Sequence, residues 1–284
     1  MKQILSFGAG IQSTCLLLMS CKGLLPKLDA AVFADVGWEP KEVYDHLDWC
    51  KEYAAGFGID VAVVKQPGEG LRDAVLNNIT KPDGGRFSSL PFFTATIEGE
   101  RQGMSMRQCT FNYKIAPITK YLRESIMGLK PRQRAPKEVM IEQWMGISFD
   151  EATRAKPSQN VWCKNVFPLI SYGCKYLDGK NWRRRDCINW LQENYPERNI
   201  PRSACIGCPF HSTTEWRRIR ENKEEWENAC EFDDKIRIDK RGKIKSRLYL
   251  HSSCVPLRDA DLRTSAEKGQ PDLWDNECEG MCGL

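Results

Sequence analysis

The sequence predicts an α/β fold, a parallel twisted sheet with helices on both faces, followed by a mostly helical, cysteine-bearing C-terminal part. Three observations predict it. Short apolar runs near residues 2–6, 30–34 and 60–64 alternate with helical patterns, the order that builds parallel sheets. A glycine-containing loop joins the first run directly to the first helical pattern. Beyond about residue 180 helical patterns and cysteines take over from strand patterns. The expected division is therefore an α/β domain over 1–180 and a helical, cysteine-rich region with a flexible tail over 181–284.

The elements follow in order. Lys2-Gln3-Ile4-Leu5-Ser6 is a strand, and the apolar run from Ser13 to Met19 opens a helix. Ala30 to Ala34 reads as a second strand, ending in Asp35-Val36-Gly37. A helix from about Pro40 to Gly56 carries Val43, Leu47, Cys50 and Ala54 at helical spacing. Asp60 to Val64 is the third strand. Residues 77–108, with two asparagines, paired glycines and two prolines, read as a long loop or lid over the carboxyl ends of the strands. Helices are predicted at 112–128, 182–194 and 214–231, and a strand at 138–146. There is no internal repeat.

Composition narrows the function classes. Of 284 residues, 41% are hydrophobic and 28% charged, ordinary values for a chain that builds a core. No run approaches the ~18 apolar residues of a membrane span, and the N-terminus lacks a signal peptide's cleavage region, so a cytoplasmic location without a membrane partner is expected. In that reducing compartment the 13 cysteines point to metal ligation, catalysis or burial rather than to disulfides. A net charge of +4 does not identify a nucleic-acid binder. Basic clusters at Lys130 to Arg134, Arg183 to Arg185 and Lys235 to Arg247 read as solvated faces, or as contacts to a polyanionic substrate.

The first motif is Ser6-Phe7-Gly8-Ala9-Gly10-Ile11-Gln12-Ser13-Thr14, between a strand and a helix. Small residues let backbone N–H groups close around an anion, Ser13 and Thr14 can add hydroxyls, and the helix presents its positive end. An ordinary glycine turn is the plainer reading of the same residues. The loop lacks a Walker lysine and the third glycine of a dinucleotide fingerprint, which argues against kinases and dehydrogenases.

This loop resembles the pyrophosphate (PP) loop of the adenine nucleotide alpha-hydrolase superfamily, and Gly10-Ile11-Gln12 is closer to the form in phosphoadenylylsulfate (PAPS) reductases. Gln12 stands where the ATP-cleaving members carry aspartate. The resemblance continues in order along the chain. Phe33 to Trp38, with Asp35 and Gly37, and then Tyr44, looks like the reductases' Asp-Thr-Gly and Glu-Thr-Tyr segments. Arg107-Gln108-Cys109-Thr110 with Lys114 and Pro117 is similar to their Cys-Cys-x-x-x-Lys-x-x-Pro segment. Gly146-Ile147 with Arg154, Phe167-Pro168-Leu169, and Trp182 with Asp186 match later stretches. The resemblance implies an adenine nucleotide, ATP or PAPS or adenylylsulfate (APS), bound by Ser6, Gly8, Gly10, Gln12, Ser13, Thr14, Asp35 and Gly37. Arg107, Lys114 and Arg154 would neutralise phosphate and sulfate oxygens.

Cysteines form the second constellation. Cys205-Ile206-Gly207-Cys208-Pro209 is a C-x-x-C whose turn can point two thiolates at one metal, although a redox pair or two separate thiols would share the pattern. The resemblance to adenylylsulfate reductases adds Cys109 and implies a [4Fe–4S] cluster, with zinc as the structural alternative. Only one cysteine stands at that first site, so a fourth ligand is needed. Cys187 is preferred because its predicted helix leads into the C-x-x-C loop; Cys163, Cys174 and Cys254 stay open, and His211 could join.

The third feature is the tail from Asn276 to Leu284. In the reductases a C-terminal Glu-Cys-Gly motif carries the nucleophile that attacks the sulfonate sulfur, so either Cys278 or Cys282 would be catalytic here. Three functions compete. One is a PAPS- or APS-reductase-like enzyme served by a thioredoxin-like electron donor. A second is an ATP-dependent iron–sulfur sulfurtransferase that takes sulfur from a donor and modifies a nucleic-acid base. The third is a non-catalytic nucleotide sensor, or subunit of a complex, with a structural metal.

Overall fold

A computed structural model of the chain describes residues 1–87, 89–170, 176–264 and 266–269. In chain order the main elements are β1 (Lys2–Phe7), α1 (Ile11–Cys21), β2 (Ala30–Asp35), α2 (Lys41–Ala55), β3 (Asp60–Lys65), α3 (Leu71–Ile79), β4 (Phe93–Ala95), β5 (Arg101–Met104), α4 (Ala116–Tyr121), β6 (Ile141–Met145), β7 (Cys163–Val166), α5 (Arg184–Asn194), α6 (Thr213–Glu221), α7 (Lys223–Ile236) and β8 (Arg247–Tyr249). They sort into two compact units. Unit 1 holds residues 1–35, 41–65 and 115–203, and unit 2 holds 36–40, 66–114 and 204–284.

Unit 1 is the predicted parallel sheet, in the order β3-β2-β1-β6-β7. Every neighbouring pair runs parallel. Side chains alternate across a strand, so each strand serves two cores. Leu5 and Phe7 of β1 join Ala31 and Phe33 of β2 against Leu16, Leu17 and Leu18 of α1 and Val43 and Leu47 of α2. On the opposite face Ile4, Ala30 and Val32 pack with Ile118 and Leu122 from the α4 region. A sheet covered on both faces needs strands apolar throughout, and all six residues of β2 are buried. Strand order reverses at β1, with β2 on one side and β6 on the other. The crevice outside the carboxyl end of such a strand is where open α/β sheets bind ligands.

Unit 2 pairs β5, β4 and β8 in an antiparallel sheet. Its core collects Trp38, Phe92, Trp216 and Phe232. Asp233, fully buried within α7, accepts the backbone N–H groups of Leu250 (2.7 Å) and Leu257 (3.0 Å) and pairs with Arg237. One carboxylate thus pins the 250–257 segment to the helix, with its charge matched and its oxygens occupied.

Three expectations change. Residues 77–108 are not a structureless lid: they include the end of α3 and the β4–β5 pair, whose other neighbour β8 lies some 150 residues further on. The helix predicted over 214–231 is two helices, because Asn222 adopts an extended conformation and its side chain accepts the N–H groups of Glu224 and Glu225, capping α7. The unit boundary does not fall at 180, since α5 packs on α1 in unit 1 and residues 66–114 belong to unit 2. Among the described residues after 180, the main elements are helices, as expected. Among the described residues no helix is long and apolar enough to cross a membrane.

Candidate functional site

The loop after β1 is built by local backbone geometry. Ala9 takes a left-handed conformation (φ +57°) although it is not glycine and is fully buried, a strained choice that marks a shaped turn. Gly10 then caps α1 in an extended conformation without any side-chain hydrogen bond, and the first turn of α1 has no acidic residue. The leading N–H groups and the positive end of the helix dipole are therefore left for an anion. The loop after β6 closes on the same helix end. A Cβ on Gly146 would stand 2.9 Å from the Ser13 nitrogen and 3.1 Å from its Cα, so only glycine permits that approach.

The hydroxyls of this loop face inward rather than toward a ligand. Ser13 Oγ accepts from the Gly8 N–H and donates to the Gly10 carbonyl, both at 3.2 Å, bracing the turn. Thr14 is fully buried, and its Oγ1 lies 3.0 Å from His46 Nε2, which also lies 3.4 Å from Cys50 Sγ. Thr14 thus anchors the loop to α2, correcting the role expected for its hydroxyl. Nothing in the sequence singled out His46.

Burial, and secondarily the charge of Arg198, pushes the His46 pKa from 6.5 down to about 4. Folding therefore favours the neutral ring. That contribution is complete above pH 6.5 and is lost as pH falls from 6.5 toward 4. Between pH 7 and pH 5 the chain is expected to lose about 2 kcal/mol of stability through this group, read as a lower urea midpoint. The slope should flatten in His46→Gln, and an unchanged slope would remove the assignment.

Gln12 continues the site. Its amide donates to Glu151 (3.1 Å) and Ser148 (3.4 Å), and Glu151 pairs with Arg154. Asp35, at the carboxyl end of β2, accepts from Tyr44 OH and pairs with Lys65, both at 2.8 Å. Ser6 lies in β1, in register with Val32 and Met145. Unit 1 therefore brings the loop, Gln12 and Arg154 together. Gly37, Arg107 and Lys114 belong to unit 2.

The cysteine motif sits in unit 2. The Cys208 N–H bonds the Cys205 carbonyl at 3.0 Å and the Ile206 N–H bonds the Trp38 carbonyl at 2.9 Å. His211 Nε2 lies 2.8 Å from the Cys205 carbonyl, so that ring nitrogen braces the turn instead of facing a metal. Cys109, Cys205 and Cys208 line one small cavity together with Arg107, Lys114 and apolar side chains. Lys114 Nζ is 3.6 Å from the buried Glu39 carboxylate, and the Arg107 guanidinium lies 5.6 Å from the Phe210 ring.

Three soft thiols on one cavity are the right chemistry for a thiophilic metal. The described residues nevertheless contain no group of three or more His, Cys, Asp or Glu arranged to hold an ion. Cys187 does not supply the fourth ligand: it is fully buried in the unit 1 core, in the same cluster as Cys15. Cys163 and Cys254 are buried in separate clusters. Cys174, Cys278 and Cys282 lie outside the described residues.

The fold and the loop define an α/β chain with a glycine-containing loop and an uncapped helix start at the switch point of a parallel sheet. No protein-family profile matches it, and no curated protein does. Among solved structures it is similar to a phosphoadenylyl-sulfate (PAPS) reductase from Candida auris, solved as a phosphate complex, at 13% identity and a TM-score of 0.41, covering 71% of this chain and 74% of that one.

Proposed function

We propose that the chain binds an adenine nucleotide with its phosphates at the Gly8–Gly10 loop and acts in sulfur chemistry as a sulfonucleotide reductase. The observation that carries the binding half is the helix start beyond the switch-point strand, uncapped by any side chain and free of acidic residues, with Gly146 closing on it. Gln12 favours a sulfonucleotide over ATP cleavage, because a neutral amide held by Glu151 and Ser148 offers no carboxylate to a metal–triphosphate complex. In the reaction a tail thiolate, Cys278 or Cys282, attacks the sulfonate sulfur. The new S–S bond forms as the sulfur–oxygen bond to the nucleotide phosphate breaks, and the phosphate leaves as an anion that cationic side chains stabilise. A thioredoxin-like dithiol then reduces the thiosulfonate and releases sulfite.

The test is anaerobic incubation with PAPS or APS and a dithiol donor, following sulfite. Release that disappears in Cys278→Ser or Cys282→Ser supports the reading. Nucleotide binding without turnover, unaffected by either substitution, would favour a sensor instead. A soft-metal centre at Cys109, Cys205 and Cys208 is a second reading, favoured by their shared cavity. Stoichiometric iron or zinc, lost in Cys208→Ser, supports it; a metal-free chain with all three thiols open to titration ends it.

A further inference from the structure

We propose that Ser203 is a phosphate ligand that completes the loop cradle from the far side, an inference that rests on reading Gly8–Gly10 as the nucleotide's phosphate site. Ser203 belongs to unit 1 and is its last residue. Its Oγ stands 3.2 Å from where a Cβ on Gly8 would be. Its Cβ and amide nitrogen stand 3.2 Å and 3.5 Å from the corresponding point on Gly10. Ser203 thus occupies the space that both glycines leave open, although it is 193 residues away in sequence from the nearer of the two.

The hydroxyl inventory gives this position its meaning. Ser13's hydroxyl is committed to the loop backbone and Thr14's to His46. Ser203 is half-buried over the same glycines, and among the described residues its hydroxyl makes no hydrogen bond. A half-buried hydroxyl over an uncapped helix start is a donor waiting for an acceptor, and a phosphate oxygen is the acceptor such a helix end attracts. The missing side chains of Gly8 and Gly10 are what admit Ser203 to the loop.

Calorimetric titration of the full chain, without any dithiol, with PAPS, inorganic pyrophosphate and adenosine tests this, in wild type, Ser203→Ala and Gly8→Ala. The expected result is a roughly tenfold weakening for PAPS and pyrophosphate in Ser203→Ala, the scale of one hydrogen bond to a charged group, with adenosine affinity and melting temperature unchanged. Gly8→Ala, whose methyl displaces the hydroxyl, should weaken PAPS comparably and add little in the double variant. Unchanged PAPS affinity in Ser203→Ala, a loss shared by adenosine, or tighter binding, as for a residue that plugs the loop, would each overturn the assignment. If the wild type binds neither PAPS nor pyrophosphate, the phosphate-site reading itself fails, an outcome distinct from the others.

Discussion

Gly207→Ala is expected to cost at least ~3 kcal/mol of stability, the upper range for overpacking a filled core, seen as a melting temperature lower by about 6 °C or more. Gly207 lies between the two cysteines of the C-x-x-C turn, and a Cβ there would stand 1.9 Å from one atom of the Trp38 ring and 2.6 and 2.7 Å from two others. Trp38 cannot yield. It is 4% exposed, its ring centroid is 4.5 Å from that of Phe232, and its Nε1 donates to Asn228 at 2.7 Å. The check is a double-mutant cycle: in a Trp38→Leu background the alanine should cost much less. Equal costs in both backgrounds would show that the collision is not the cause.

Gly146→Ala is expected to weaken PAPS binding on the order of a hundredfold, the scale on which misplaced binding groups are felt. The new methyl would meet the nitrogen and Cα of Ser13 and the carbonyl carbon of Gln12 within 3.2 Å. These are backbone atoms at the start of α1, with no flexible end to swing aside. The helix start must shift, and its N–H groups move with it. Titration with PAPS reads the loss, and an affinity within threefold of wild type would mean that this helix end does not hold the phosphates.

Much of unit 1 was legible in the sequence because its first three strands carry short apolar runs, the fully buried β2 most plainly. β1, β2 and β3 appear within a residue of the predicted ends. The loop was legible because strand, glycines and helix follow without a gap. Unit 2 was not, since β4 and β8 have three residues each, too few for alternation to register, and their pairing joins segments far apart in the chain. The break at Asn222 had a local signal that the helical periodicity masked: Asn222 with Glu225 three residues on is a helix-start pattern, as is Ser212 with Glu215, where the serine caps α6.

The site divides in the same way. The glycines and Gln12 were readable as a motif, whereas the partners that set their chemistry come from elsewhere in the chain. His46 is a lone histidine on an amphipathic helix, indistinguishable from any core histidine until Thr14 is seen against it. Ser203 carries no pattern of its own. Cys187 was misplaced for a related reason: its predicted helix leads toward Cys205 in sequence, but its side chain is buried against Cys15 on α1. Proximity along the chain stood in for proximity in space.

The chain passes between its two units five times, at 35/36, 40/41, 65/66, 114/115 and 203/204, and this bears on how the molecule is made. β1 is synthesised first, yet its second neighbour β6 starts about 139 residues later, a wait on the order of ten seconds at usual translation speeds. Through that interval an apolar strand made to be covered on both sides has one open edge. Neither unit is a contiguous stretch of gene that could be expressed as a single piece. The sheet of unit 1 can therefore be completed only after the segment carrying β6 and β7 has left the ribosome.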